Sequence, residues 1–103
     1  MTLPSELNDL YKYIQTINLK ELGIRKKISV FIVVDSNNQY SIAFYITQKS
    51  RFLQKDADKI EEIKSIILEN IEYKVKEKII LIKSPLCSKA KNKLSLDKWI
   101  VLG

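Results

Sequence analysis

Histidine is absent from this 103-residue chain, and cysteine occurs once, as Cys87. Without histidine the chain lacks the most common general base and a usual zinc ligand, and it cannot form a Ser–His or Cys–His catalytic pair. A single cysteine excludes an internal disulfide and a Cys-x-x-Cys metal site, and it is typical of a reducing compartment. We therefore expect a cytoplasmic protein, in which Cys87 is favoured as a packing residue over a nucleophile.

Glycine and proline are also scarce, with two of each. Because Gly23 and Gly103 stand far apart, no glycine-rich phosphate loop is present, and we expect no nucleotide cofactor. Without histidine and with a single cysteine, we also expect no metal. No apolar run approaches the roughly 18–20 residues of a membrane span, and the first ten residues, MTLPSELNDL, do not resemble a secretion signal. The expectation is a chain without membrane contact.

The remaining composition is that of one soluble globular domain over residues 1–103, with 46% hydrophobic and 29% charged residues. Hydrophobic periodicity predicts the element order α-β-β-α-β-α-β. The predicted elements are a helix over 5–22, strands over 28–34 and within 39–50, a helix over 54–72, a strand over 78–82, a short helix begun by Ser84-Pro85 as cap and first turn, and a strand over 98–102. The fold class is α/β, a small mixed sheet of about four strands with helices on its faces.

The second strand of the predicted hairpin, QYSIAFYITQKS, shows a clear alternation. It places Ile42, Phe44 and Ile46 on one face of the sheet. The other face takes the remaining positions of the strand, namely Ala43, Tyr45, Thr47 and Lys49. Asp35 precedes Ser-Asn-Asn, which indicates a turn aspartate that binds backbone amides.

Two segments, FYITQKSRFLQKDADKIEEI and KIILIKSPLCSKAKNKLSLDKWIVL, carry a resemblance to a known family. Over roughly residues 28–102 the chain resembles the restriction-endonuclease-like nuclease superfamily, which includes the archaeal Holliday junction resolvases. The resemblance implies a hairpin strand ending in Glu-x-Lys, with an aspartate across the hairpin. In such nucleases the two acids hold a divalent metal and the lysine stabilises charge.

The residues that stand at those positions here are degenerate. Thr47 occupies the glutamate position of the motif and Lys49 the lysine position, while Ile28 or Ser29 is expected to face Thr47. Asp35 cannot replace the missing acid, because the turn lies roughly 26–30 Å from Lys49 along an extended hairpin. Glu6 could supply one carboxylate, which is too few for a hard cation. We expect no intrinsic catalytic pair.

The net charge of +6 is uneven along the chain. Residues 79–103 contain five lysines and one aspartate, and residues 26–49 contain three basic residues and one acid. The lysines of the last quarter are candidate phosphate contacts, at positions Lys83, Lys89, Lys91, Lys93 and Lys98. A solvated lysine surface that only keeps the protein soluble is the alternative. Single aromatic residues such as Trp99, Tyr45, Tyr11 and Tyr13 are favoured as packing residues over stacking platforms for bases.

The sequence thus predicts a non-catalytic, nuclease-like module that binds DNA, RNA or a partner that handles nucleic acid. A protein-interaction or regulatory subunit without nucleic-acid contact is the alternative. An active nuclease would require a partner chain to lend carboxylates. Because three helices barely cover so apolar a sheet, we also expect a homodimer or a hetero-oligomer.

Overall fold

The structure is a computed structural model that describes residues 3–26 and 28–102. It confirms the α/β class, with a sheet of five strands rather than about four, in the order β1-β2-β3-β4-β5. The elements are α1 (Ser5–Asn8), β1 (Lys12–Thr16), a 3₁₀ turn (Leu19–Leu22), β2 (Ser29–Val34), β3 (Tyr40–Ile46), α2 (Gln54–Glu69), β4 (Val75–Ile82), α3 (Ser88–Leu96) and β5 (Trp99–Leu102).

The sheet is mixed, and the predicted hairpin lies near its centre. Strands β1, β2 and β3 are antiparallel, with Val34 opposite Tyr40 at the hairpin turn. Strands β3, β4 and β5 run parallel, joined by α2 and α3. Parallel strands that are buried on both faces typically have a continuous apolar sequence. In β4 the segment Ile79–Ile82 is such a sequence.

Two apolar layers cover the sheet, and their division follows the alternation of β3. Ile42, Phe44 and Ile46 belong to the larger layer under α2 and α3, as predicted. Ala43 belongs to the smaller layer on the opposite face, where the half-buried Tyr45 packs against it. Each side chain of this smaller layer is at most 6% exposed, in a set made of Leu3, Leu7, Phe31, Val33, Ala43, Ile79 and Leu81. The chain therefore covers much of the second face by itself, which removes one reason for expecting a partner there.

The predicted helix over 5–22 is wrong. The helix ends at Asn8, and Leu10, which should lie on its apolar face, is 61% exposed. Residues Lys12–Thr16 instead form the edge strand β1 against β2. This segment combines two β-branched residues with Tyr13, a composition that favours a strand where an open sheet edge offers pairing. Gly23 ends the segment in the left-handed conformation (φ 74°) after the 3₁₀ turn.

The start of α3 also differs from the prediction. Ser84 is not its cap, and Pro85 does not occupy its first turn. The helix begins at Ser88 with Cys87 as its N-cap, whose sulfur accepts a hydrogen bond from the Ala90 amide at 3.3 Å. Pro85 lies in the preceding connection, where its carbonyl accepts a hydrogen bond from the Phe52 amide at 2.7 Å. In the described parts of the chain, no helix is both long and apolar enough to cross a bilayer.

Candidate functional site

One end of the sheet collects the positions that the nuclease resemblance concerns. We call it the site end, defined by Ser29 at the start of β2, Ile46 at the end of β3 and Ile82 at the end of β4. Tyr45 pairs with Ser29, and Ile46 pairs with Ile82. The Lys83 amide donates to the Ile46 carbonyl at 2.9 Å, which continues the pairing past β4. Because adjacent strands lie about 4.8 Å apart, the whole site end is roughly 10 Å wide.

The degenerate motif lies just past this edge. Thr47 and Lys49 are exposed and follow the last residue of β3, so the strand does not itself contain Thr-x-Lys. Between them, the Gln48 side chain donates to the carbonyls of Ser50 and Arg51, each at 3.3 Å. These bonds fold the segment back as a loop.

The register of β2 and β3 differs from the one expected around Thr47. Ser29 pairs with Tyr45, so neither Ser29 nor Ile28 faces Thr47, and that expectation is wrong.

Glu6 brings a carboxylate to the site end from α1, but the carboxylate is already paired. The Lys83 ammonium forms a salt bridge and hydrogen bond with it. The hydrogen bond from Lys83 lowers the pKa of Glu6, and the same bond raises the pKa of Lys83. Among residues 3–26 and 28–102, no three acidic or cysteine side chains gather into a group that could hold a metal ion.

Asp35 is a turn residue, as predicted. Its carboxylate accepts hydrogen bonds from the amides of Asn37 at 2.8 Å and Gln39 at 3.0 Å. This turn lies at the opposite end of the sheet. Six strand steps of about 3.3 Å separate Tyr40, beside the turn, from Ile46, so about 20 Å of strand lies between Asp35 and the site end.

The five lysines of the last quarter do not form one cluster. Lys83 lies at the site end with Glu6, whereas Lys93 contacts Asp97 at 3.3 Å and Asp58 at 4.0 Å. Lys98 immediately precedes Trp99, which pairs with Lys78. Since Lys83 lies five residues beyond Lys78, Lys98 is at least about 16 Å from Lys83 along the sheet.

Three lysines of that set have no carboxylate partner within the described chain. These are Lys89, Lys91 and Lys98, and each is exposed. Lys89 and Lys91 lie in the first half of α3. The helix leads back from the end of β4 to the start of β5, so its first half is nearer the site end.

A groove beside the site end was missed by the sequence analysis. It lies in the connection from β1 to β2 and has a volume of about 990 Å³. Its lining includes three basic residues, Lys20, Arg25 and Lys26. The signal was present in the sequence, because residues 20–27 contain four basic residues and one acid, Glu21.

Comparison with known proteins gives a likeness of structure alone. No family model matches the chain, and no curated protein matches it. A solved structure described as EndoMS in apo form, a restriction-endonuclease-like nuclease, superposes with a TM-score of 0.62 at 17% sequence identity. The superposition covers 89% of this chain and 37% of that one, so the chain spans well under half the length of its structural neighbour. The chain shares a fold with that protein, and the likeness does not single out the resolvases.

Proposed function

We propose that this chain is a non-catalytic, nuclease-like module that binds nucleic acid or a partner that handles it. The observation that carries the proposal is a nuclease-like fold whose site end keeps cationic side chains but offers one paired carboxylate, Glu6. A hard divalent cation requires several oxygen ligands. Thr47 supplies none of the negative charge that a glutamate would bring.

Basic charge gives the module its means of contact with phosphate. The net charge of +6 attracts a polyanion over distances of about a Debye length, and each phosphate contact releases counterions. Lys89, Lys91 and Lys98 are candidate contacts from the last quarter of the chain, since their charges are not neutralised by a described acid. Lys83 and Lys93 are weaker candidates, because each would have to leave a carboxylate.

A protein-interaction or regulatory subunit is the second candidate. Strand β5 forms an edge of the sheet, and its sequence WIVL has no charge and no proline to discourage pairing. Beside it, Leu96 is 80% exposed and Ile100 is 37% exposed. A second copy or another subunit could pair with this edge. The open edge, rather than an uncovered sheet face, is the reason for proposing a homodimer or hetero-oligomer.

Salt-dependent binding separates the two candidates. The affinity of the purified chain for duplex and single-stranded DNA and RNA is measured by fluorescence anisotropy at several salt concentrations. A nucleic-acid-binding module should lose affinity linearly in the logarithm of salt, with a slope of about 0.7–0.9 per phosphate contact. Absence of binding at low salt would reject direct contact with nucleic acid and favour the interaction subunit.

A further inference from the structure

We infer that the groove in the connection from β1 to β2 is the binding site for the phosphodiester backbone of a nucleic acid. The inference rests on the proposed function and gives that function a location. It differs from the location that the sequence suggested, which was the lysine-rich last quarter of the chain.

The groove is a built feature with a fixed base. Ile17, Leu19 and Ile24 are each at most 9% exposed and belong to the larger apolar layer, so they anchor the connection to the sheet. The Ile17 amide donates to the Val30 carbonyl at 2.8 Å, which extends the β1–β2 pairing into the groove. At Gly23 a Cβ atom would meet nothing within 4 Å, so the backbone there faces open space.

The cations of the groove are available to a ligand. Within the described chain, Lys20, Arg25 and Lys26 form no salt bridge, and Glu21, the one acid in the connection, is not among the lining residues. Other lysines differ in this respect, since Lys83 and Lys93 each contact a carboxylate. Three unpaired cations around one concave surface raise the local concentration of an anionic ligand.

The chemistry of the lining selects phosphate over bases. Besides the cations the lining includes Asn18, whose side-chain oxygen accepts from the Lys20 amide at 3.1 Å and whose side-chain nitrogen can donate to a phosphate or sugar oxygen. No aromatic side chain is among the described residues that line it, so it offers no platform on which a base could stack. Binding should therefore be insensitive to sequence.

The position of the groove fits the nuclease-like fold of the chain. Ser29 both lines the groove and pairs with Tyr45, two residues before Thr47. Ser29 is about 5 Å from Tyr45 across the strand pair, so this edge of the groove lies roughly 8–9 Å from Thr47. The chain would thus hold a strand beside the site end without cutting it.

The test compares two triple variants with the same loss of charge. The groove variant is K20Q/R25Q/K26Q. The control is K12Q/K74Q/K76Q, which removes three exposed lysines at the opposite end of the sheet, where Lys12 pairs with Val34. The groove variant should lower the salt slope by about 2–3 units and the affinity by about 100-fold at 0.1 M salt, equally for unrelated sequences. The control should retain the parent slope to within about one unit, apart from the general effect of its lower net charge.

A second measurement uses the unmodified chain, so it does not depend on folding of a variant. Bound oligonucleotide is cross-linked to lysine, and the modified peptides are mapped. Cross-links at Lys20 and Lys26 support the groove, whereas cross-links confined to Lys89, Lys91 and Lys98 overturn it. Equal loss of affinity in the two triple variants also overturns the groove but leaves the proposed function standing. A parent chain that binds no nucleic acid rejects the groove and also rejects the nucleic-acid-binding form of the proposed function.

Discussion

At the scale of single residues, Trp99 of β5 contacts three other elements of the fold, β3, β4 and α2. Its ring meets Phe44 edge-on, with centroids 5.3 Å apart, and Lys78 lies 5.2 Å above the ring. Its indole nitrogen donates to the Glu61 carboxylate at 2.7 Å, which joins β5 to α2. Edge-to-face rings and a cation above the indole each contribute about 0.5–1.5 kcal/mol. Trp99 is therefore a core residue, as expected, with its polar atom satisfied.

Phe44→Ala should lower the free energy of unfolding by about 3–5 kcal/mol. Phe44 is fully buried and loses both its own burial and its contact with Trp99. Urea denaturation followed by tryptophan fluorescence measures the change. Leu96→Ala, at a position 80% exposed, serves as the control and should change stability by less than about 0.5 kcal/mol. A loss below about 1 kcal/mol for Phe44→Ala would mean that the faces of β3 are assigned the wrong way round.

Glu61→Gln should lower stability at neutral pH and much less in acid. Burial raises the pKa of Glu61, but hydrogen bonds from Lys64 and Trp99 and the charge of Lys78 outweigh it, so the pKa lies below its usual 4.5. A carboxyl whose pKa is lower in the folded chain stabilises it above the unfolded pKa, and this is lost as pH falls through the folded pKa. The variant should cost about 1–3 kcal/mol at pH 7.

The measurement is thermal or urea unfolding of parent and variant across pH 2–7. The difference between them should shrink as the pH falls below about 4.5. Glu62→Gln is the matched control, because Glu62 lies on the same helix with a side chain 62% exposed and only a 3.6 Å contact with Lys59. A difference for Glu61→Gln that stays constant over the whole range would show that its charge does not stabilise the fold.

At the scale of elements, helix α2 begins with a side chain that satisfies the backbone. The Asp56 carboxylate accepts a hydrogen bond from the Leu53 amide at 2.8 Å, just before the first turn. The amides at the start of a helix have no hydrogen-bond acceptor within the helix. A negative charge at this end also interacts favourably with the helix dipole. Asp56 thus explains where the long amphipathic segment begins, and Ala57, Ile60, Ile63 and Ile67 then bury its apolar face.

Asp56→Ala should lower the free energy of unfolding by about 0.5–2 kcal/mol, in the range of a lost N-terminal cap. Asp58→Ala removes the same charge two residues later. The Asp58 side chain is 55% exposed, and its ion pair with Lys93 is long, at 4.0 Å. It should cost about half a kcal/mol or less. Equal losses in the two variants would mean that charge alone, without the Leu53 hydrogen bond, accounts for the effect.

At the scale of the whole molecule, the purified chain should not cleave DNA or RNA in Mg²⁺ or Mn²⁺. The physical reason is the shortage of carboxylates at the site end, where Glu6 is neutralised by Lys83. The assay incubates supercoiled plasmid, linear duplex and RNA with each metal after repurification by two different methods. Lys49→Ala is the diagnostic variant. Cleavage that survives repurification and disappears in this variant would contradict the prediction.

The sequence by itself determined the parts of the fold in which local pattern and final environment agree. The strand around Phe44 and the helix around Ile63 show their buried positions in their own periodicity, and the apolar run around Ile80 indicates a strand buried on both faces. The turn at Asp35 contains its own hydrogen-bond acceptor. These were predicted because the pattern that identifies each of them lies in residues close in sequence. The missing carboxylates at the degenerate motif were visible in the same way.

Only the tertiary structure decided what depends on distant neighbours. Residues Lys12–Thr16 became a strand because β2 offered an open edge, although their spacing also suited a helix. Glu6 was neutralised by Lys83 across 77 positions, and Lys98 was separated from Lys83 by the length of β4. The groove arose where a 3₁₀ turn and Gly23 brought Lys20, Arg25 and Lys26 around one hollow. Charge is counted along the chain, but its effect on a ligand depends on distance in space, which the fold alone sets.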